Sequence, residues 1–404
     1  MKSKTADYDA LQSAYLLEYD RRRILNCADT FENLAAVFAE MNRDEDGNVR
    51  DREGECDREA AWRMKRAQEN RRHYASYMKQ LAGLMQAVAG TSVQMIRLGG
   101  RKEKQIFRAL DGEGIIVQDI FLLRGQKDKL EISVSLCTKK DTSVTIEEIA
   151  GYLSVLMDIR LMPEKRNPYF VGKDMVNLYF EEEPAYCCMT AAATAVKENE
   201  TVSGDCYSFF EEDDAVTMIL SDGVGSGESA AKDSSRIVDL TEQILDAGLG
   251  EKMAVQMLNG MVGTEGDETH MATLDVCRVD LMTGECALIK AGAASTFIKR
   301  GDQVERVSSD TLPLGMMAEE EEKEMRRQLK DGDMVILVSD GVTQDWPCGD
   351  GDFFLAQQIG KLSVSSPVDM ANHLLRYAIG QCQGKIRDDM TILVTGIWEN
   401  REDM

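Results

Sequence analysis

The tetrapeptide Ser-Asp-Gly-Val occurs twice, at Ser221-Asp222-Gly223-Val224 and Ser339-Asp340-Gly341-Val342, each time directly after an apolar strand-like run, residues 216–220 and 334–338. Two more acidic sites stand beside apolar strand-like segments: Asp205 in Gly204-Asp205-Cys206-Tyr207, and the pair Asp388-Asp389 just before residues 390–394. A fold that brings these strand ends together must gather four carboxylates. At an effective dielectric of about 20, two like charges ~4 Å apart repel by roughly 4 kcal/mol. A pair of divalent metal ions is the natural remedy.

Composition narrows the partners. With 404 residues, 43% of them hydrophobic, the chain has enough apolar material for two or three domains. A formal net charge of −24 opposes binding to nucleic acid or to an anionic membrane, since both need a basic face. The ten cysteines are scattered and form no C-x-x-C pair, which fits free thiols in a reducing cytoplasm. His73, His270 and His373 have no ligand-like spacing, against a His-rich zinc site or a Ser-His-Asp hydrolase. Oxygen ligands for a hard cation remain. No apolar run reaches the ~18 to 20 residues that a membrane-spanning helix needs.

The periodicity predicts a helix over residues 6–41, with Leu17, Ile24, Cys27, Phe31, Leu34, Phe38 and Met41 forming a heptad seam broken at Asp20. Residues 42–56 read as a solvated connector. A second helix over 57–89 carries Ala67, Tyr74, Met78, Leu81, Met85 and Val88 on a similar seam. The two helices form an antiparallel hairpin or half of a dimer. Residues 102–110 read as a short helix, 115–123 and 130–136 as strands about a turn at Gly125-Gln126-Lys127-Asp128, 145–157 as a helix and 175–180 as a strand. That texture is a small α+β module without a phosphate loop or acidic cluster, which suits regulation better than catalysis.

From residue 185 the chain becomes strand-rich. Residues 187–196 are a strand, and 204–211 with 215–221 form a hairpin turning at Glu212-Asp213-Asp214. A register pairing Glu211 with Val216 sets Asp205 directly opposite Asp222, on one face and ~4.5 to 5.5 Å apart. Helices at 228–247 and 251–262 follow, each stopped by a glycine. Strands at 272–280 and 285–291, a hairpin of 296–299 with 304–307, and a polar helix starting at Glu319–Glu322 come next. Strand 334–338, helices at 353–362 and 369–378, and strand 390–395 complete a two-sheet core with helices outside.

Mg²⁺ or Mn²⁺ takes oxygen ligands and keeps several waters. Two such ions share a bridging water, lower its pKa and hold it in line with a phosphorus atom. Glycine after the metal-binding Asp lets a backbone carbonyl approach an ion. A single Asp-Gly would be no more than a turn; four acidic positions at strand ends favour the metal.

The segments Gly204-Asp205, Ser221 to Gly227, Leu312-Pro313-Leu314-Gly315, Ser339-Asp340-Gly341 and Arg387-Asp388-Asp389-Met390-Thr391 have the order and spacing of the metal-dependent protein phosphatase 2C superfamily. The run from Leu220 to Gly315 resembles its stage II sporulation protein E branch, and the likeness spans residues 185–398. The resemblance implies an α+β fold with an αββα two-sheet phosphatase core at 185–404; before it, the residues themselves read as a helical region at 1–99, a candidate for dimerisation, and a small α+β regulatory module at 100–184. It implies a serine phosphatase acting on a phosphorylated anti-anti-sigma factor, releasing a sporulation sigma factor by in-line attack of a metal-bridging hydroxide. Two Mn²⁺ or Mg²⁺ ions are implied. Carried over by position, Asp222 bridges both, Asp205 and the Gly223 carbonyl serve one, and Asp340 and Asp388 the other, with Asp222 and Asp340 essential to catalysis. Asp389 would be an outer group rather than a ligand.

The resemblance also implies that the helix pair 228–262 is a switch coupling dimerisation to metal-site assembly. A homodimer and a contact with a cell-division protein, and no nucleic acid, are the expected partners. Members of the branch carry a multi-span membrane segment that this sequence lacks, so the expectation is a cytoplasmic chain, membrane-associated where it belongs to a longer protein. A non-catalytic scaffold of a sporulation or cell-division complex is the competing function. An ATPase of the histidine-kinase type is opposed by the missing Glu/Asn box and glycine-rich lid.

Overall fold

The computed structural model describes residues 26–37, 78, 82, 94–96, 98, 100–124, 130–139, 143–212, 214–223, 225, 227–246, 250–262, 272–316, 324–344, 346 and 349–400. These fall into two compact units, one within Gln86–Glu183 and one combining residues of Asn26–Met85 with Pro184–Met404. Of the expected features, the turn at 125–128, the connector 42–56, the run 319–322 and seam residues Leu17, Ile24, Phe38, Met41, Ala67, Tyr74, Leu81, Met85 and Val88 lie outside the described residues. Among the described residues no helix is long and apolar enough to cross a membrane.

The first unit is an antiparallel sheet of β1 (Gln94–Ile96), β2 (Ile115–Arg124), β3 (Leu130–Thr138), β7 (Val176–Glu182) and β5 (Leu161–Pro163), in that spatial order. Its two helices, Gly100–Gly112 and Ile146–Met157, follow the expected apolar spacing. Ile106 and Leu110, then Ile149 and Leu153, recur four residues apart and join Ile132, Val134 and Leu136 of β3 in one core. Thr145 begins the second helix with a reciprocal cap: its amide donates to Glu148 Oε2 at 2.8 Å, and the Glu148 amide donates to Thr145 Oγ1 at 3.2 Å. The sequence did not predict β1, β5 or the two-residue pair β4 (Val144–Thr145) and β6 (Phe170–Val171). Two or three residues are too few to display an alternation.

The second unit stacks two five-stranded antiparallel sheets between helices. One sheet runs β15 (Glu324–Gln328), β12 (Glu285–Ala291), β11 (Leu274–Asp280), β10 (Ala215–Asp222), β9 (Asp205–Glu211). The other runs β14 (Gln303–Val307), β13 (Thr296–Arg300), β16 (Met334–Val338), β17 (Met390–Glu399), β8 (Tyr186–Ala195). Strands buried on both faces explain the unbroken apolar runs. In β16, Val335 and Leu337 face the other sheet, while Met334, Ile336 and Val338 face the helices Gly351–Lys361 and Pro367–Gln381. In β10, Val216, Met218 and Leu220 face inward and Ile219 faces the helix pair Glu228–Asp246 and Glu251–Val262. The α+β, two-sheet expectation is borne out.

One element differs. Where polarity predicts a helix continuing from the acidic run, Glu324–Gln328 is the edge strand β15. Its antiparallel ladder to β12 holds it, with exposed ion pairs alongside: Arg326 with Glu285 of the neighbouring strand, and Arg327 with Glu305 at 2.5 Å. Such partners are distant in sequence, so no local apolar period announces the strand.

The N-terminal seam also finds a specific destination. Residues 26–37 are helical, and Ala28, Phe31, Leu34 and Ala35, with Met78 and Ala82, share a core with Ile237, Leu240, Ile244, Ala254 and Leu258 of the helix pair. The described part of the seam is therefore buried against its own chain.

Candidate metal and phosphate site

The β9–β10 hairpin has the expected register: Val216 pairs with Glu211, and six residues on Asp222 pairs with Asp205. Because Leu220 points between the sheets, Asp222, two residues later, continues that face to the open end of the sandwich. Thr273, the residue just before β11, fixes it there. Asp222 N–H donates to Thr273 Oγ1 at 3.0 Å, Ser221 Oγ donates to the Thr273 carbonyl at 2.8 Å, and Thr273 N–H donates to the Asp222 carbonyl at 2.9 Å.

The second Ser-Asp-Gly segment closes the opposite sheet. After β16 the chain enters a 3₁₀ turn, Asp340–Val342. Ser339 N–H donates to the Thr391 carbonyl and Thr391 N–H to Ser339 Oγ, both at 2.9 Å, so Asp340 is held beside the start of β17. Asp388 and Asp389 precede that strand. Both Asp389 oxygens accept backbone amides, from Lys197 at 2.9 Å and Gly204 at 2.7 Å. Asp389 thus ties the entry of β9, and with it Asp205, to the Asp388 corner.

Two glycines are required by close approach. A Cβ on Gly223 would lie 2.4 Å from the Ala230 carbonyl oxygen, and one on Gly341 would lie 2.2 Å from that of Asp389. The sequence reading gave glycine the task of admitting a metal ion; at both positions the space that a Cβ would take is filled by another stretch of backbone.

Electrostatics reports that the acidic groups sense one another across the two sheets. The Asp222 carboxyl is pushed well above the carboxylate range, first by burial, then by the charges of Asp205 and Asp340, a hydrogen bond with Asp340, and the charge of Asp388. Asp205 is also raised, chiefly by burial; the Ser339 and Thr391 hydroxyls oppose the shift and the charges of Asp389 and Asp340 add to it. Its Oδ2 is buried and has no partner of hydrogen-bond geometry among the described residues. At the rim, Lys197 Nζ lies 3.6 Å from Asp388 Oδ1.

Of the residues singled out from sequence, Asp222 senses the charges of Asp205, Asp340 and Asp388, Asp205 senses that of Asp340, and Gly223 leads out of the same corner with its N–H on the Gly204 carbonyl at 3.3 Å. As the side chains stand, no three acidic, His or Cys groups among the described residues enclose a single ion position. The donor set nevertheless fits a hard divalent cation: several carboxylates, one orphaned buried oxygen, and like charges that cannot ionise together unaided. Sequence reasoning missed Lys197 and Thr273. Neither sits in a motif, and each acquires its part only through pairing with a distant segment.

The family profile described as Stage II sporulation protein E (SpoIIE) matches residues 212–397. Stage II sporulation protein E of Bacillus subtilis (strain 168) is 30% identical over 343 residues, covering 83% of this chain and 41% of that protein. Phosphoserine phosphatase RsbU of the same organism is 23% identical over 200 residues, covering 48% and 59%. The chain thus spans about half the length of these curated relatives. A solved structure of the PP2C phosphatase domain and a fragment of the regulatory domain of SpoIIE from Bacillus subtilis is 28% identical, covers 85% of this chain and 96% of that one, and superposes with a TM-score of 0.60. The two-sheet fold, the acidic corners and these likenesses agree that the chain belongs to the stage II sporulation protein E family of PP2C-type phosphatases.

Proposed function

We propose that the chain is a metal-dependent protein-serine phosphatase that dephosphorylates an anti-anti-sigma factor and so releases a sporulation sigma factor. The observation that carries the reading is the Asp205–Asp222 cross-strand pair, raised in pKa first by burial and then by the neighbouring carboxylates, Asp340 of the opposite sheet among them. The similarity to a phosphoserine phosphatase supports the substrate class. Asp222 would bridge two Mn²⁺ or Mg²⁺ ions, with Asp205 and the Gly223 carbonyl on one and Asp340 and Asp388 on the other. Bound there, the ions would supply an activated water and neutralise phosphate oxygens.

The chain's own groups do the rest. Thr273 holds the Asp222 backbone, and Asp389 holds the Lys197 and Gly204 amides, so the ligand-bearing segments keep their spacing. The Lys197 ammonium stands beside Asp388 at the rim, where it suits a phosphate oxygen of the incoming phosphoserine. In this reading residues 1–99 mediate homodimerisation, 100–184 regulate, and 185–404 catalyse in the cytoplasm, with a cell-division protein as a further contact. Phe31 and Leu34, buried with the helix pair, give the N-terminal region a route to the Asp222 corner.

The test is phosphate release from a phosphoserine protein by the whole chain with Mn²⁺, then with chelator, and by Asp222→Ala. Metal-dependent turnover lost in the variant is the expected result. Absence of turnover with either metal would favour a non-catalytic scaffold instead.

A further inference from the structure

Between the two sheets, one layer beneath the acidic corners, lies an ion pair that the proposed reaction does not use. Lys290 of β12 contacts Asp275 Oδ2 of β11, and the two side chains are 0% and 1% exposed. They are register partners, and Asp275 is in turn opposite Leu220, so both project into the space between the sheets. From the other sheet, Thr296 Oγ1 donates to Asp275 Oδ2 at 2.9 Å; the Ala294 carbonyl, just before β13, accepts from Lys290 Nζ at 2.6 Å. Asp275 Oδ1 is buried without a hydrogen-bond partner among the described residues.

Stability alone is a poor reason to keep this arrangement. Desolvating two charges is costly, and exchanging a buried ion pair for apolar groups of similar volume is often neutral or stabilising. The surroundings would accept the exchange, because Leu220, Leu337 and Leu393 already fill the same layer. Charged hydrogen bonds provide something that apolar packing does not, namely direction. Here they link one sheet to the other.

That link bears on the site because each sheet supplies two of the four carboxylates. Asp275 of β11 lies two residues beyond Thr273, which grips Asp222, so the pin sits about 7 Å below the Asp222 layer at a strand rise of ~3.3 Å per residue. A metal site tolerates ligand distances only within about 0.2 Å. A small slip of one sheet over the other would therefore spoil coordination while leaving the core packed.

We infer that the Asp275–Lys290–Thr296 pin is a positioning element that holds the two sheets, and so their carboxylates, in register for the metal ions. The inference rests on the metal-site reading above. The test is Mn²⁺ titration calorimetry on the full chain, alongside urea unfolding, for the wild type, the apolar double variant Asp275→Leu/Lys290→Met, and Thr296→Val. The double variant is expected to unfold at no lower urea concentration than the wild type yet bind Mn²⁺ at least about tenfold more weakly, the loss typical of groups that orient metal ligands. Its kcat should fall at saturating Mn²⁺ while KM for the phosphoprotein stays the same. Thr296→Val keeps the side-chain volume and removes one of the two bonds between the sheets, leaving Lys290 on the Ala294 carbonyl; about a threefold weakening of Mn²⁺ binding is expected in a variant that still unfolds cooperatively, a part of that tenfold loss. It decides the matter should the double variant not fold. Wild-type Mn²⁺ binding retained in the folded variants would overturn the pin alone. No Mn²⁺ binding by the wild type would overturn the metal-site reading beneath it, and the pin with it.

Discussion

The two Ser-Asp-Gly corners are alike in sequence and differently supported. In both, a serine is tied to the neighbouring strand and a glycine admits foreign backbone. The Gly341 corner is closed by the Asp388-Asp389 segment at the start of β17, strand end against strand end. The Gly223 corner is closed by Ala230, in the first turns of the helix Glu228–Asp246, whose far side shares a core with residues 26–37. One corner is thus locked within its sheet and the other is coupled to a helical layer. The same tetrapeptide thus supplies two halves with different backing, a strand end behind Gly341 and a helix behind Gly223.

The largest expected effects test whether the halves are equal in chemistry. Asp222→Ala and Asp340→Ala should each lower metal-dependent phosphate release by about 10³-fold or more, since Lewis-acid stabilisation is worth several kcal/mol. They should differ in calorimetric stoichiometry, with Asp222→Ala losing both Mn²⁺ sites and Asp340→Ala one. Full activity in both variants would sink the site assignment.

Next comes the helical support. Phe31→Ala removes a side chain only 2% exposed from the core behind the Gly223 corner and should cost about 3 kcal/mol in urea unfolding. A cost near zero would mean that the N-terminal helix does not pack on the helix pair in solution. Smaller changes are expected from the glycines themselves. Gly341→Ala and Gly223→Ala each force backbone apart, at about 1 to 3 kcal/mol. The comparison predicts the greater loss of stability at Gly341, where both sides are hydrogen-bonded strand ends, and it fails if the order is reversed.

The smallest effect is a control outside both corners. Asp119, at the register shift in β2, is raised to about 6 by burial. An acid raised in the folded state contributes stability below its unfolded value, near 3.8, and loses it as pH rises through about 6. Asp119→Asn should therefore match the parent at pH 4 and exceed it at pH 8, by a fraction of a kcal/mol after solvent screening, roughly. Mn²⁺ binding should be unchanged.

Much of this was legible from residues alone. The turn at 212–214 and a side-chain period of two were enough to set Asp205 opposite Asp222, because a slip of one residue would turn Val216, Met218 and Leu220 out of the core. The helix Glu251–Val262 and the strands Glu285–Ala291 and Met334–Val338 have the expected bounds, since glycines or a polar turn punctuate them. β15 was not legible, and neither was Lys197 beside Asp388, because both depend on partners far along the chain.

The sequence by itself determined the strand and helix periods, the β9–β10 register and the kind of ligand the acidic strand ends would favour, all consequences of local spacing and charge. Only the tertiary structure decided that Phe31 and Leu34 are covered by the helix pair of the same chain, and that a buried Lys290–Asp275 pair links the sheets. An apolar stripe specifies that it must be buried, but not against what, since hydrophobic attraction carries no direction. A lysine within an apolar run gives no hint of its carboxylate until the strands are paired.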